Sequence, residues 1–168
     1  TNTPHSFDND FDFIWNIVTD PSNDSMDVIY AATYGSIYRS ADGGASWSKS
    51  INGGNAYHNN VAITSNGVVY ATLSSDGSSS GRGIWRSDDG INWTKINDAM
   101  FPPIYARIAI GINPSNENEI YFLAAETDGY GQHTDVFFGG ETWTSLWKYE
   151  YLSGNGTGSG GVWTDLSS

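Results

Sequence analysis

The chain has no cysteine among its 168 residues, which excludes disulfide bonds, zinc–thiolate sites and a cysteine nucleophile. Basic residues are scarce: 7 Lys and Arg stand against 19 Asp and Glu, a formal net charge of −12. A field of this sign repels nucleic-acid phosphates and anionic membrane surfaces, so we expect neither partner. No apolar run approaches the ~20 residues of a membrane-spanning helix. No segment has the 3.6-residue apolar period of an amphipathic helix either.

The chain contains one sequence motif that occurs twice. Residues 40–47 read Ser-Ala-Asp-Gly-Gly-Ala-Ser-Trp, and residues 87–93 read Ser-Asp-Asp-Gly-Ile-Asn-Trp. Each copy follows an Ile-aromatic-Arg triplet whose alternation is typical of a strand. Ser and Asp side chains bond nearby backbone N–H groups and Gly tolerates positive φ, so the motif predicts a tight turn. The closing Trp is expected to fold back and bury its ring, which makes the unit a β-hairpin.

Further strand-like runs precede each hairpin and extend the repeat. Their order predicts four-stranded antiparallel units with strands A, B, C and D, separated by Pro and Asn-Gly turns. The predicted organisation is an N-terminal tail and three such units, at residues 1–11, 12–54, 55–99 and 100–168. The third unit has a long B–C loop at 126–144, and its C–D hairpin has exchanged the Asp turn for a Gly-rich loop at 153–161.

The two hairpins resemble the Asp-box, or BNR, repeat of Asp-box β-propellers. That superfamily includes sialidases, xyloglucanase-type glycoside hydrolases and sortilin-like receptors. The first copy matches the pattern Ser/Thr-x-Asp-x-Gly-x-Thr/Ser-Trp throughout, and the second is one residue short between Ser87 and Gly90. The resemblance implies an all-β fold of about three four-stranded blades. It also implies a structural role in the turns for Ser40, Asp42, Gly44, Trp47, Ser87, Asp88, Gly90 and Trp93, with Asp89 expected to share it.

Three blades are too few for a closed propeller, which needs ~4–8. We therefore expect a fragment of a larger ring, completed by the rest of the propeller or by another chain; a short open stack of three sheets is the alternative. The absence of cysteine argues against the disulfide-bonded sortilin-like branch. An acidic chain without a leader peptide fits a mature secreted or cell-surface protein, which we expect to be bacterial.

Ligand-binding residues are expected on one end of the blades. In a four-stranded meander the A–B and C–D turns share one end, and the B–C loops and D–A connections share the other. The second end varies in length and composition, as binding loops do. Aromatic rings stack on sugars and polar side chains bond their hydroxyls, so we predict a glycan or protein ligand held by Tyr34, Tyr57, His58, Arg82, Tyr130 and His133.

We expect this chain to be a non-catalytic recognition or scaffold segment, with no cofactor. It resembles xyloglucanase-type enzymes around residues 30–35, but those carry a catalytic aspartate where this chain has Tyr34. No arginine motif of the sialidase type is visible. The alternative is part of a polysaccharide-cleaving glycoside hydrolase, which needs two facing carboxyl groups. Some of these would lie outside this chain; the candidates within it are Glu126, Asp128 and Asp135.

A metal site is not expected. Asp8, Asp10 and Asp12 have the alternating oxygen spacing of a calcium loop, but they lack the Gly and the distant Glu of an EF-hand. A solvated N-terminal tail is therefore the expectation, and calcium binding the alternative.

Overall fold

The computed structural model describes residues 10–127, 130–134, 137 and 139–167, without the side chains of Ser78 and of residues 132–134. These residues form three antiparallel sheets and three short 3-10 turns, so the predicted all-β class is confirmed. The sheets are consistent with consecutive blades of a propeller. The 3-10 turns are Asp10–Asp12, Asp76–Ser78 and Gly158–Gly160.

In blades 1 and 2, strands adjacent in the chain are adjacent in the sheet; in blade 3 the short strand at residues 132–134 departs from this order, because the strands on either side of it in the chain pair directly with each other. Blade 1 contains β1 (Ile14–Thr19), β2 (Ile29–Thr33), β3 (Ser36–Ser40) and β4 (Ser48–Asn52). Blade 2 contains β5 (Asn59–Ile63), β6 (Val69–Leu73), β7 (Gly83–Ser87) and β8 (Thr94–Lys95). Blade 3 contains β9 (Ile108–Ile112), β10 (Glu119–Ala125), β11 (Gln132–Thr134), β12 (Glu141–Tyr151) and β13 (Gly161–Asp165).

Part of the predicted loop at 126–144 is strand, which corrects that prediction. β12 begins at Glu141, and β11 pairs with its first residues, Gln132 opposite Trp143. No apolar alternation marks 132–134, so the sequence gives little signal for this pairing.

The register repeats from blade to blade. Strand B places a tyrosine opposite a cationic residue of strand C in every blade, and the pairs are Tyr30–Arg39, Tyr70–Arg86 and Tyr121–Lys148. In blade 1 the Arg39 Nε donates to the Tyr30 hydroxyl at 3.3 Å. These pairs give a structural alignment of the three blades without reference to the turn motif.

The hydrophobic core lies between the blades. One cluster joins blades 1 and 2 through residues such as Tyr30, Ile37 and Leu73, each at most 1% exposed. The other joins blades 2 and 3 and includes Phe122 and Trp147. Since the sheet faces that meet between blades 1 and 2 and between blades 2 and 3 are the buried ones, stability comes from stacking of neighbouring blades.

The repeated tryptophans link neighbouring blades. Trp93 Nε1 donates to Ser50 Oγ of blade 1 at 2.8 Å, and Trp163 Nε1 donates to the Ile96 carbonyl oxygen of blade 2 at 2.9 Å. Trp47 and Trp93 are half-buried, in keeping with rings that fold back over their hairpins.

The two ends of the blades carry different chain connections, as expected for a meander. At the turn face, the end with the A–B and C–D turns, Gly43 N donates to Asp27 O, and the Ser65 hydroxyl donates to Glu117 of the next blade. At the loop face, the end with the B–C and D–A connections, Gly35 N donates to Ala56 O and Ser75 N donates to Tyr105 O. Loops of adjacent blades thus meet at the loop face.

Candidate functional site

Five ring-bearing side chains meet on the loop face between blades 1 and 2. Phe13 and Trp15 stand at the start of β1, Tyr34 lies in the turn between β2 and β3, and Tyr57 and His58 precede β5. Because strand A is entered from the loop face and strand B ends there, three separate chain segments deliver these rings to one place. We call this group the aromatic cluster.

The rings of the aromatic cluster form an unbroken series of contacts. The Phe13 and Trp15 ring centroids are 6.0 Å apart with planes 6° from parallel, and those of Phe13 and Tyr34 are 6.5 Å apart. Tyr34 and Tyr57 are stacked at 5.3 Å, and Trp15 is 4.9 Å from the His58 ring. Phe13 is 45% exposed and Tyr57 is 41% exposed, so the cluster offers aromatic surface to a ligand.

Backbone contacts fix the position of these rings. Tyr34 N donates to Phe13 O at 2.9 Å, which ties the B–C turn of blade 1 to the start of β1. Across from it, Gly77 has φ +61, and a side chain there would meet the Tyr57 ring and the Asn55 carbonyl. The close approach of this loop to Tyr57 therefore requires glycine.

A polar pair borders the aromatic cluster. His58 Nδ1 lies 2.9 Å from Asp76 Oδ2, and the His58 backbone N–H donates to Ser74 Oγ. Desolvation, followed by the neighbouring Tyr57, raises the pKa of the Tyr34 hydroxyl. A tyrosine hydroxyl is protonated at neutral pH even without such a shift, so it can donate a hydrogen bond. Trp15 Nε1 is buried and has no hydrogen-bond partner among the described residues. The site thus combines apolar ring surface with donors and acceptors, as sugar recognition requires.

The structure brings together three of the predicted ligand residues, Tyr34, Tyr57 and His58. Arg82 is exposed elsewhere on the loop face, where its charge contributes, after desolvation, to the lowered pKa of Lys95. Tyr130 is half-buried and packs against the core shared by blades 2 and 3. A role for Tyr130 in ligand binding stays a prediction. The His133 side chain lies outside the described residues.

Sequence reasoning missed Phe13 and Trp15. The spacing of Phe13 and Trp15 two residues apart was the available signal, since it places both rings on one side of an extended segment. What no pattern shows is that the D–A connection carries Tyr57 and His58 to the same place.

Of the candidate catalytic carboxylates, the structure describes Glu126, which lies on blade 3 and apart from the aromatic cluster. Glu126, which is exposed and has φ +56, lines an open groove of about 440 Å³ on blade 3. Glu141, Thr142 and Trp143 line the same groove. Asp128 and Asp135 lie outside the described residues. Positive φ is uncommon for a residue with a side chain and occurs often at functional sites.

The first repeated turn is held by its Ser and Asp side chains. Asp42 accepts hydrogen bonds from the Ser46 N–H at 2.9 Å and the Ser46 hydroxyl at 2.6 Å, while Ser40 Oγ accepts the Gly44 N–H at 2.9 Å. The Ser46 hydroxyl is the largest cause that lowers the Asp42 pKa from 3.8 to about 2. These bonds occupy Asp42 within its own turn.

In the second turn Asp89, not Asp88, makes the equivalent bonds, which corrects the assignment of Asp88. Asp89 Oδ1 accepts the N–H groups of Ile91 and Asn92 at 2.8 and 2.7 Å, and Ser87 Oγ accepts the Gly90 N–H. These contacts, first the Asn92 N–H, hold the pKa of Asp89 well below its usual range. Asp88 instead pairs with Arg86 at 2.7 Å and is 65% exposed. Asp89 stands two residues after Ser87, as Asp42 does after Ser40, so the missing residue lies between the aspartate and the glycine.

The calcium alternative rests on Asp8, Asp10 and Asp12, of which Asp8 lies outside the described residues. The Asp10 carboxylate is engaged by Lys49 Nζ at 2.7 Å, by the Ser36 hydroxyl at 3.0 Å and by the Tyr38 hydroxyl. Across the described residues, no group of three or more His, Asp or Glu is arranged to hold a metal ion.

No helix within the described residues has the length and apolar character needed to cross a bilayer.

No protein-family profile matches the chain, and no curated protein matches it. Among solved structures it is similar to the crystal structure of the Niastella koreensis GH74 enzyme, NkGH74, with a TM-score of 0.59 and 21% sequence identity. The match covers 91% of this chain and 22% of the other, so this chain spans less than a quarter of that protein. At this identity the likeness shows the fold: the three blades are arranged as in part of a glycoside-hydrolase propeller.

Proposed function

We propose that the chain is a glycan-recognition segment of a secreted bacterial Asp-box propeller, and that the aromatic cluster is its binding site. The observation that carries the proposal is the convergence of Phe13, Trp15, Tyr34, Tyr57 and His58 on the loop face. Sugar rings present C–H faces that stack on aromatic rings, and hydroxyls that bond to a His–Asp pair or a tyrosine hydroxyl.

A non-catalytic role is supported by how the carboxylates near the aromatic cluster are used. Asp76 pairs with His58, and Asp10 is held by Lys49. Glycoside hydrolysis needs one carboxyl group to donate a proton and a second to act as base or nucleophile. Tyr34 stands where the enzymes this chain resembles have a catalytic aspartate, so the site offers a stacking ring at that position.

The test is a binding titration against a panel of soluble plant and host glycans by isothermal calorimetry. Replacing an exposed stacking ring removes about 1.4 kcal/mol or more, which is tenfold in affinity. We therefore expect Tyr57→Ala and Phe13→Ala each to weaken binding at least tenfold. Trp143→Ala, in the groove of Glu126 on blade 3, is the matched control and should leave affinity unchanged. A glycan that binds both variants of the aromatic cluster as tightly as the parent contradicts the proposal.

The second candidate function is a share in polysaccharide hydrolysis, favoured by the similarity to a GH74 enzyme and by Glu126 with Glu141 in one groove. In that case Glu126→Gln would abolish glycan cleavage by the protein that contains these blades. The same substitution leaves binding at the aromatic cluster intact. Cleavage that persists in Glu126→Gln removes this residue from the candidates.

A further inference from the structure

Two cationic side chains lie next to each other on the loop face of blade 2. Arg82 is the last residue of the B–C loop, and Lys95 lies in β8, the fourth strand of the same blade. A side-chain carbon at Gly83 would lie 3.1 Å from Lys95 Nζ, so the ammonium group folds over the residue that directly follows Arg82. Both residues are exposed. We call Arg82 and Lys95 the cationic pair.

The cationic pair has no carboxylate partner among the described residues, although the chain has 19 acidic residues and only 7 basic ones. None of the ion pairs within that part of the chain includes Arg82 or Lys95. Desolvation, and then the charge of Arg82, lowers the pKa of Lys95. Like charges repel each other at close range. An anion bound by both side chains would therefore relieve an unfavourable contact.

The equivalent lysine of blade 1 shows which group this position of the repeat binds. Lys49 lies opposite Tyr38 in blade 1. Lys95 lies opposite Trp85 in blade 2, and each ring residue directly precedes the arginine of its tyrosine–cation pair. Lys49 Nζ binds the Asp10 carboxylate at 2.7 Å. The same position in blade 2 is therefore suited to a carboxylate that comes from a ligand.

The cationic pair and the aromatic cluster are joined by one loop. The B–C loop of blade 2 carries Asp76, which belongs to the polar pair beside the aromatic cluster, and it ends at Arg82. Ser79 Oγ donates to a carbonyl oxygen of the preceding D–A connection at 2.6 Å, and Trp85 Nε1 donates to Gly81 O at 2.9 Å. Since these bonds hold the loop in place, a glycan that stacks on the rings can extend along the loop to the cationic pair.

We propose that the cationic pair is a subsite for the carboxylate group of a uronic-acid residue, so that the segment recognises an acidic glycan. This inference rests on the proposed glycan-binding function and specifies the class of glycan. The Arg82 guanidinium and the Lys95 ammonium donate charge-assisted hydrogen bonds to the carboxylate oxygens. The aromatic cluster at the other end of the same loop favours a sugar over a polypeptide as the bearer of the carboxylate.

The test compares a galacturonic acid trisaccharide with its methyl ester, which keeps the sugar rings but removes the charges. Isothermal calorimetry on the full chain at low ionic strength measures both affinities. We expect the acid to bind about tenfold more tightly than the ester, and the difference to shrink as salt is added.

Substitutions of the cationic pair should remove this preference. Arg82→Gln and Lys95→Met, which keeps most of the aliphatic stem, should each lower the affinity for the acid towards that of the ester. Neither should change the affinity for the ester. Arg107→Gln removes another exposed arginine, on blade 3, and is the matched control for net charge; it should change neither affinity.

Three results would overturn the inference. The first is absent or equal binding of the acid and the ester. The second is a preference for the acid that persists in both Arg82→Gln and Lys95→Met. The third is tighter binding of an oligoglutamate peptide than of the acid, lost in the same two variants, which makes the ligand an acidic polypeptide.

Failure of this inference is distinguishable from failure of the glycan proposal. Ester binding that weakens in Tyr57→Ala, without any preference for the acid, would keep the glycan proposal and overturn the carboxylate subsite alone. A preference for the acid that depends on Arg82 and Lys95, with ester binding unchanged in Tyr57→Ala, would support the subsite and contradict the aromatic cluster as the sugar site.

Discussion

Gly90 and Gly43 form a matched pair that measures inter-blade packing in the repeated turns. Both have positive φ, +67 and +70, so an alanine at either position costs about 1–2 kcal/mol from the left-handed conformation. A Cβ at Gly43 meets nothing within 4 Å, whereas one at Gly90 would overlap the Tyr30 hydroxyl of blade 1. Overpacking of a buried contact adds about 1–3 kcal/mol. Gly90→Ala is therefore expected to lose about 2–5 kcal/mol of unfolding free energy and Gly43→Ala about 1–2.

Urea titration followed by tryptophan fluorescence measures both losses, and equal m-values for the variants validate the comparison. Tyr30→Phe removes the hydroxyl that the new methyl group would meet, so it should recover part of the loss in the Gly90→Ala background and none in the Gly43→Ala background. If Gly90→Ala costs no more than Gly43→Ala, the stacking of blade 2 on blade 1 through this turn is refuted.

Three further predictions concern the turns and the tryptophan links. Asp89→Asn should lower the melting temperature more than Asp88→Asn, because Asp89 bonds the turn backbone; the reverse order would contradict the assignment. The lowered pKa of Asp42, about 2 against 3.8, stabilises the fold above about pH 4. That contribution is lost as pH falls from 4 towards 2. The unfolding free energy of Asp42→Asn should therefore change less between pH 4 and pH 2 than that of the parent protein. Trp163→Phe deletes the indole hydrogen bond and should cost about 1 kcal/mol in urea titration; an unchanged midpoint would dismiss this link.

The blades could be predicted from the sequence because their signals are local. Alternating apolar residues mark the strands, and Ser, Asp and Gly at fixed offsets mark the turns of residues 40–47 and 87–93. Asp88 and Asp89 were two candidates for one role, and the prediction named Asp88. The offset from the serine favours Asp89, which follows Ser87 by two residues as Asp42 follows Ser40, and the hydrogen bonds of the folded turn select it.

The candidate site was predictable only in part, because it depends on contacts between segments far apart in the chain. Tyr34, Tyr57 and His58 were found from loop position and residue type. Phe13 and Trp15 were not, since their strand pattern gives no indication of a shared surface with the D–A connection. Tyr130 packs against the core shared by blades 2 and 3, which is a contact between distant segments that its local sequence does not indicate.

A crystal structure of the chain with the tightest-binding oligosaccharide of the panel tests the central claim most directly. The account predicts a sugar ring against Phe13 or Tyr57, with a hydroxyl in reach of the His58–Asp76 pair. A sugar bound in the Glu126 groove of blade 3, with the aromatic cluster empty, would contradict it.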